Sequence, residues 1–139
     1  MDASLPEQGG DTTPSKRILI ADETVSSREL LRSILADSGH EVVEATDGVE
    51  VLEAVVGFQP SLVILDMELS GVDGYDTARC VRQLPGFESV PIVALIVEPE
   101  HVVLEEINAA GFSAYLVKPI GPARLRACVR RLLAGGGNS

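Results

Sequence analysis

Apolar residues along this chain fall into short groups that alternate between two spacings. Unbroken runs occur at Ile18-Leu19-Ile20-Ala21, Leu62-Val63-Ile64-Leu65, residues 91–96 and residues 114–117. Runs of this length, bounded by polar residues and turn formers, predict strands buried on both faces. A shorter, half-polar strand is predicted at residues 41–45. Between the runs, apolar positions recur three and four apart. Leu30, Leu31, Ile34 and Leu35 mark a helix over about 25–38, and Val51, Leu52, Val55 and Val56 mark one closed by Gly57. Ala78 and Val81 place a third over about 75–84, and Val102, Val103 and Ile107 a fourth over about 99–109. Leu125, Val129, Leu132 and Leu133 place the last over about 122–133. Thr24, Ser26 and Ser27 are candidate caps for the first helix, Asp47-Gly48 turns into the second, and Pro99 opens the fourth. Gly39, Pro85-Gly86 and Gly111 are stop signals.

Five strand-then-helix alternations with short connections predict an α/β fold, a doubly wound parallel sheet with helices on both faces. In open sheets of this kind, ligands sit beyond the carboxyl ends of the strands, where strand order reverses. Asp22-Glu23 follows the first strand, Asp66 ends the third, Ile96 ends the fourth and Lys118 follows the fifth. Residues far apart in sequence are thereby expected at one mouth.

The length of 139 residues and 45% hydrophobic content suit one domain, set at residues 16–134. Residues 1–15 are polar and rich in Pro, Gly and Thr, and read as a disordered tail; residues 135–139 read as a tail or the start of a linker. No run approaches the roughly 20 apolar residues of a bilayer span. The first residues lack the basic start and apolar core of a secretion signal, so a cytoplasmic protein with no membrane partner is expected. A formal net charge of -10, from 21 acids against 11 bases, argues against direct nucleic-acid binding. Cys80 and Cys128 lack metal or disulfide spacing and read as reduced residues at or near the core.

Three carboxylates at one mouth repel each other by on the order of 4 kcal/mol per close pair at an effective dielectric of about 20. Protons or a cation must relieve this. Oxygen ligands without neighbouring His or Cys point to Mg²⁺. Lys118 supplies a point charge for a carboxylate or a phosphoryl oxygen. Carboxylate, metal and lysine together suit an aspartyl phosphate with Asp66 as nucleophile.

The motifs ILIADE, LVILDMELSGVDGYD and YLVKPI, at this spacing, resemble the receiver domains of two-component response regulators, over about 16–133. The resemblance implies a flavodoxin-like, CheY-like sheet of order 2-1-3-4-5 with five helices. It also implies phosphoryl transfer to Asp66 from a histidine kinase or histidine phosphotransfer protein. Asp22 or Glu23, Asp66 and the backbone carbonyl of Glu68 would bind Mg²⁺, Lys118 would contact the phosphoryl group, and a downstream protein or fused output domain would read the result. Such a chain is a self-phosphorylating acceptor rather than a multi-turnover enzyme.

Four positions depart from the family pattern. Ile96 stands where Thr or Ser usually bonds the phosphoryl oxygen. That bond is worth roughly 1.5–3 kcal/mol, comparable with the whole of a typical switching coupling of about 1–3 kcal/mol. Acceptor chemistry can therefore survive while switching weakens. Val97 replaces a smaller residue and would shield the site, Glu23 replaces Asp, and Ser70 replaces a common Pro and is expected to loosen its loop. With Ile96 next to it, Tyr115, at the family's second switch position, reads as a partly packed ring with a wet hydroxyl.

Two alternatives remain. A pseudo-receiver would be an interaction module not regulated by phosphorylation, and Ile96 supports it. A phosphohydrolase using Asp66-Met67-Glu68 is opposed by the absence of spare length for a cap. His40 and His101 read as surface residues, and Arg124, Arg126, Arg130 and Arg131 as a basic stretch favourable to the last helix dipole.

Overall fold

The computed structural model describes residues 16–135. Its elements run β1 (Arg17–Ala21), α1 (Val25–Asp37), β2 (Glu41–Ala45), α2 (Gly48–Phe58), β3 (Leu62–Asp66), α3 (Gly74–Gln83), β4 (Ile92–Ile96), α4 (Leu104–Ala110), β5 (Ala114–Val117) and α5 (Pro122–Gly135). The strands form one parallel sheet in the order β2-β1-β3-β4-β5, as the alternation predicts. The two end segments assigned to tails lie outside the described residues, apart from Gly135, which ends α5.

Successive strand residues point to opposite faces, and each face has its own core. Leu19, Ala21, Val63, Leu65, Ala94 and Ile96 meet Val51 and Val55 of α2, Ala78 and Val81 of α3 and Ile107 of α4. Ile18, Ile20, Ile64, Val93, Leu95 and Leu116 meet Leu31 and Leu35 of α1 and Leu125 and Val129 of α5. Burial on both sides explains the unbroken apolar runs of β1, β3 and β4, whereas the edge strand β2 is half-polar.

Several local expectations are corrected. Leu31, Ile34 and Leu35 form the buried stripe of α1, and Leu30, about 100° round the helix, is 51% exposed. In α2, Val51 and Val55 are buried, while Val56 points outward. Gly57 lies inside α2, which ends instead at Gln59 in the left-handed region. The fourth helix does not begin at Pro99: Pro99–His101 is a single 3-10 turn. Val102 and Val103 then adopt extended backbone, which suits two adjacent β-branched residues, and α4 starts at Leu104, leaving Val103 exposed. Thr24 occupies the N-cap of α1 without a side-chain bond, whereas Asp47 and Asp73 cap α2 and α3 through the amides of Glu50 and Asp76.

His40 is buried rather than superficial. Its Nδ1 accepts the Lys16 amide at 3.1 Å, tying the α1–β2 turn to the start of β1. His101 is exposed beside Glu98. Cys80 is half-buried and Cys128 buried, and both are free thiols.

Two glycines make a stability test with opposite signs. A Cβ on Gly74 would lie 2.7 Å from the Met67 Cα, a backbone atom that cannot swing aside as a flexible side chain would. Gly57 sits in a helix with open space around it. Gly74→Ala is expected to lose about 1–3 kcal/mol in urea denaturation, and Gly57→Ala to gain roughly 0.4–1 kcal/mol.

Candidate functional site

The register aligns the strand ends. Ala21 pairs with Leu65, so Asp22 and Asp66, one residue further on, come side by side on adjacent strands. Ile96 pairs with Val117, and Lys118 follows, its amide bonded to the Ile96 carbonyl at 2.8 Å. The lysine side chain reaches across β4 to the acids. Its Nζ donates to Asp22 Oδ2 at 2.8 Å and to Asp66 Oδ2 at 2.9 Å.

Both carboxylates are oriented in the same way. Asp22 Oδ1 accepts the Thr24 amide and Asp66 Oδ1 accepts the Glu68 amide, each at 2.9 Å. Each is an Asx turn, in which the side chain binds the backbone two residues on. One oxygen is thereby fixed and the other is left for Lys118. Asp22 also accepts the Ser27 hydroxyl at 2.5 Å.

Asp22 is fully buried, Asp66 is 4% exposed, and the Lys118 side chain is 18% exposed. Burial alone would push the Asp22 carboxyl up; hydrogen bonds from Lys118, Ser27 and Thr24, with the lysine charge, outweigh it and hold the group below its ordinary range. Burial likewise pushes Lys118 down, and its bonds to Asp22 and Asp66 reverse this, leaving it raised.

Glu23 leaves the mouth. Its Oε2 accepts the Ser70 hydroxyl from the β3–α3 loop. Ser70 also forms an isolated parallel bridge with Asp47. The expectation that Ser70 only loosens this loop is therefore overturned, because its side chain and backbone tie the loop at two points.

Sequence reasoning missed Arg28. Its Nη1 donates to the Asp22 and Glu23 carbonyls at 2.8 and 3.2 Å, and its Nε to Glu44 Oε1 on β2 at 2.9 Å. Arg32 binds the other oxygen of Glu44 at 2.7 Å. Burial pushes Glu44 up, but the hydrogen bonds and charges of both arginines outweigh it and lower its pKa. The available signal was a basic residue in the first turn of the helix that follows the acidic pair, with an acid on the predicted edge strand.

Glu68 lies just past Asp66 and gives its amide to that side chain. Ile96 is 2% exposed and packs into the α2–α4 core, so its side chain puts no polar atom at the end of β4. Val97 and Tyr115 are each 44% exposed, Val97 on the rim beside Lys118 and Tyr115 on β5. An open, mainly apolar groove of about 520 Å³ runs beside Lys118, walled by Leu30, Leu31, Val97 and Ile120.

The donors at the mouth are all oxygens, the chemistry a hard cation prefers. Among the described residues, no three His, Cys, Asp or Glu side chains converge as a metal centre. Asp22 and Asp66 share the Lys118 ammonium, and the Glu23 carboxylate is bonded to Ser70.

A doubly wound α/β domain with Asp, Asp and Lys gathered at the strand ends defines the class. The response regulator receiver domain matches residues 18–130, most of the chain, and the chain belongs to that family. The DNA-binding response regulator MtrA of Mycobacterium bovis is 36% identical over 123 residues, covering 86% of this chain and 53% of that protein. The chain thus spans about half the length of this curated relative. The chemotaxis response regulator CheY4 of Vibrio cholerae is 29% identical with a TM-score of 0.80, covering 86% of this chain and 99% of that one. The receiver domain of the sensor histidine kinase PA1611 from Pseudomonas aeruginosa PAO1, with magnesium coordinated in its own active-site cleft, shares the fold. It is 24% identical with a TM-score of 0.81, covering 87% and 99% of the two chains. No helix among the described residues is long and apolar enough to cross a membrane.

The ion-pair geometry fixes a pH prediction. The Asp22 contribution to stability is present above its ordinary value of 3.8 and is lost as pH falls through its lower folded value. The Lys118 contribution is present below 10.5 and is lost as pH rises through its raised folded value. Lys118→Met is expected to cost about 3 kcal/mol at neutral pH in metal-free protein. Urea titrations across pH should show that deficit shrinking in acid, as pH falls toward the lowered folded value of Asp22.

Proposed function

We propose that this chain is a phosphoacceptor module of two-component signalling, and that Asp66 receives the phosphoryl group. The observation that carries this is the convergence of Lys118 on Asp66 and Asp22 from three separate strand ends. The donor would be the phosphohistidine of a histidine kinase or a histidine phosphotransfer protein. An Asp66 oxygen attacks phosphorus, the phosphorus–nitrogen bond breaks, and its electron pair returns to the imidazole. Lys118 moves with the charge: it now neutralises carboxylate and would then hold a phosphoryl oxygen. The Glu68 amide keeps Asp66 oriented. The open groove along Leu30, Val97 and Ile120 leaves the mouth approachable from the α1 side.

Bound Mg²⁺ would supply charge neutralisation for the phosphoryl oxygens, with Asp22, Glu23, Asp66 and the Glu68 backbone carbonyl as its protein ligands. The all-oxygen donor set supports that ion. Glu23, bonded to Ser70 through Oε2, would join such a set by reorienting its side chain. The functional unit is residues 16–134, working in the cytoplasm, without binding nucleic acid or membrane itself. Its output passes to a downstream protein or a fused domain. The chain is an acceptor and not a multi-turnover enzyme.

Acetyl phosphate with Mg²⁺ is expected to add one phosphoryl group by intact mass, and Asp66→Asn to remove that uptake. No uptake by the unaltered protein under excess donor would end the acceptor reading.

Ile96 favours a second reading, a pseudo-receiver whose interaction face does not respond to Asp66. Its side chain is committed to the core and offers no donor to draw the following loop toward a phosphoryl group. Without that bond, beryllofluoride with Mg²⁺ is expected to shift amide resonances around the mouth while leaving Tyr115 and α4 unmoved. In Ile96→Thr, the shifts are expected to extend to Tyr115. Shifts reaching Tyr115 in the unaltered protein would show that switching does not need the hydroxyl.

A further inference from the structure

Two of the four departures from the family pattern touch each other. Glu23 is one methylene longer than Asp, and Ser70 carries a hydroxyl where proline has none; the Ser70 Oγ donates to Glu23 Oε2 across 47 residues of sequence. Ser70 belongs to the loop that runs from Asp66 to α3, and its bridge to Asp47 anchors that loop against the start of α2. Glu23 follows directly on Asp22, and Arg28 clamps the carbonyls of both residues. The backbone under the acidic pair is therefore held, while the Glu23 side chain is turned to the loop instead of the mouth.

We infer that Ser70 is a positioning residue that sets cation affinity by holding the Glu23 carboxylate away from the Asp22–Asp66 mouth. The inference rests on the phosphoacceptor reading and adds a control to its metal site. A carboxylate turned toward a hydroxyl on the loop must reorient and weaken that bond to bring an oxygen to a cation at the mouth, and the cost appears as weaker binding. The coupling is reciprocal. Cation binding releases Ser70, and with it the loop next to the acceptor.

Mg²⁺ titrations followed by amide chemical shifts test this without any phosphorylation. Ser70→Ala is expected to bind Mg²⁺ about threefold to tenfold more tightly than the unaltered protein. Ser70→Thr keeps a hydroxyl and is expected to bind as the unaltered protein does. In a Glu23→Asp background, where the shorter acid no longer reaches the loop, Ser70→Ala is expected to change nothing. Mg²⁺ should also speed hydrogen exchange of the amides around Ser70 in the unaltered protein, but not in Ser70→Ala.

Equal affinity in Ser70→Ala and the unaltered protein would overturn the inference and leave the acceptor reading standing. So would an equal gain in the Glu23 and Glu23→Asp backgrounds, because the effect would not run through Glu23. Failure of every variant to bind Mg²⁺ would instead bring down the metal-dependent acceptor reading, and the inference with it.

Discussion

One ammonium shared by two buried carboxylates is the constraint on which the mouth depends. Asp22 and Asp66 emerge from adjacent strands with almost no access to water, where two unpaired negative charges could not both persist. Lys118, from the strand at the far edge, supplies the missing charge at 2.8 and 2.9 Å. Removing one partner of such a buried group costs about 3–5 kcal/mol, because a desolvated charge is left behind. The pairing still leaves the cluster one negative charge in excess. That residual charge is what a bound cation would offset in the proposed acceptor reaction.

Everything around the trio serves its aim. The parallel register puts the strand ends level, and two apolar cores fix the sheet from both sides. Paired Asx turns then lock one oxygen of each aspartate, so that the other faces the lysine. Arg28, anchored by Glu44, holds the backbone beneath the acidic pair. Local bonds at the two Asx turns and long-range bonds from Lys118 together preorganise the site.

The fold was legible because buried parallel strands leave unbroken apolar runs and their helices leave a 3.6-residue period. The gathering of Asp22, Asp66 and Lys118 followed from strand ends alone. What escaped depended on direction, which spacing does not encode. Leu30 and Leu31 are equally apolar, yet one is exposed and the other is buried in the core. His40 sits in a turn, a usual place for a surface residue, but the nearby start of β1 buries its ring. Val102 and Val103 fit a helical pattern and instead adopt extended backbone. Glu23 and Ser70 were each visible as departures from the family, but their contact needs the fold to bring residues 47 positions apart together.

In the proposed reading, acceptor chemistry and switching would separate. Asp22, Asp66 and Lys118 sit at the ends of β1, β3 and β5, whereas β4 ends in Ile96, a buried side chain without a donor. The shared ammonium is common to both, and its own resonance reports it most directly. The Lys118 ¹⁵Nζ signal is predicted to be protected and slowly exchanging in metal-free protein, to lose that protection in Asp66→Asn, and to shift when a phosphate mimic occupies Asp66. A Lys118 signal that averages like that of a surface lysine and ignores both changes would contradict the account.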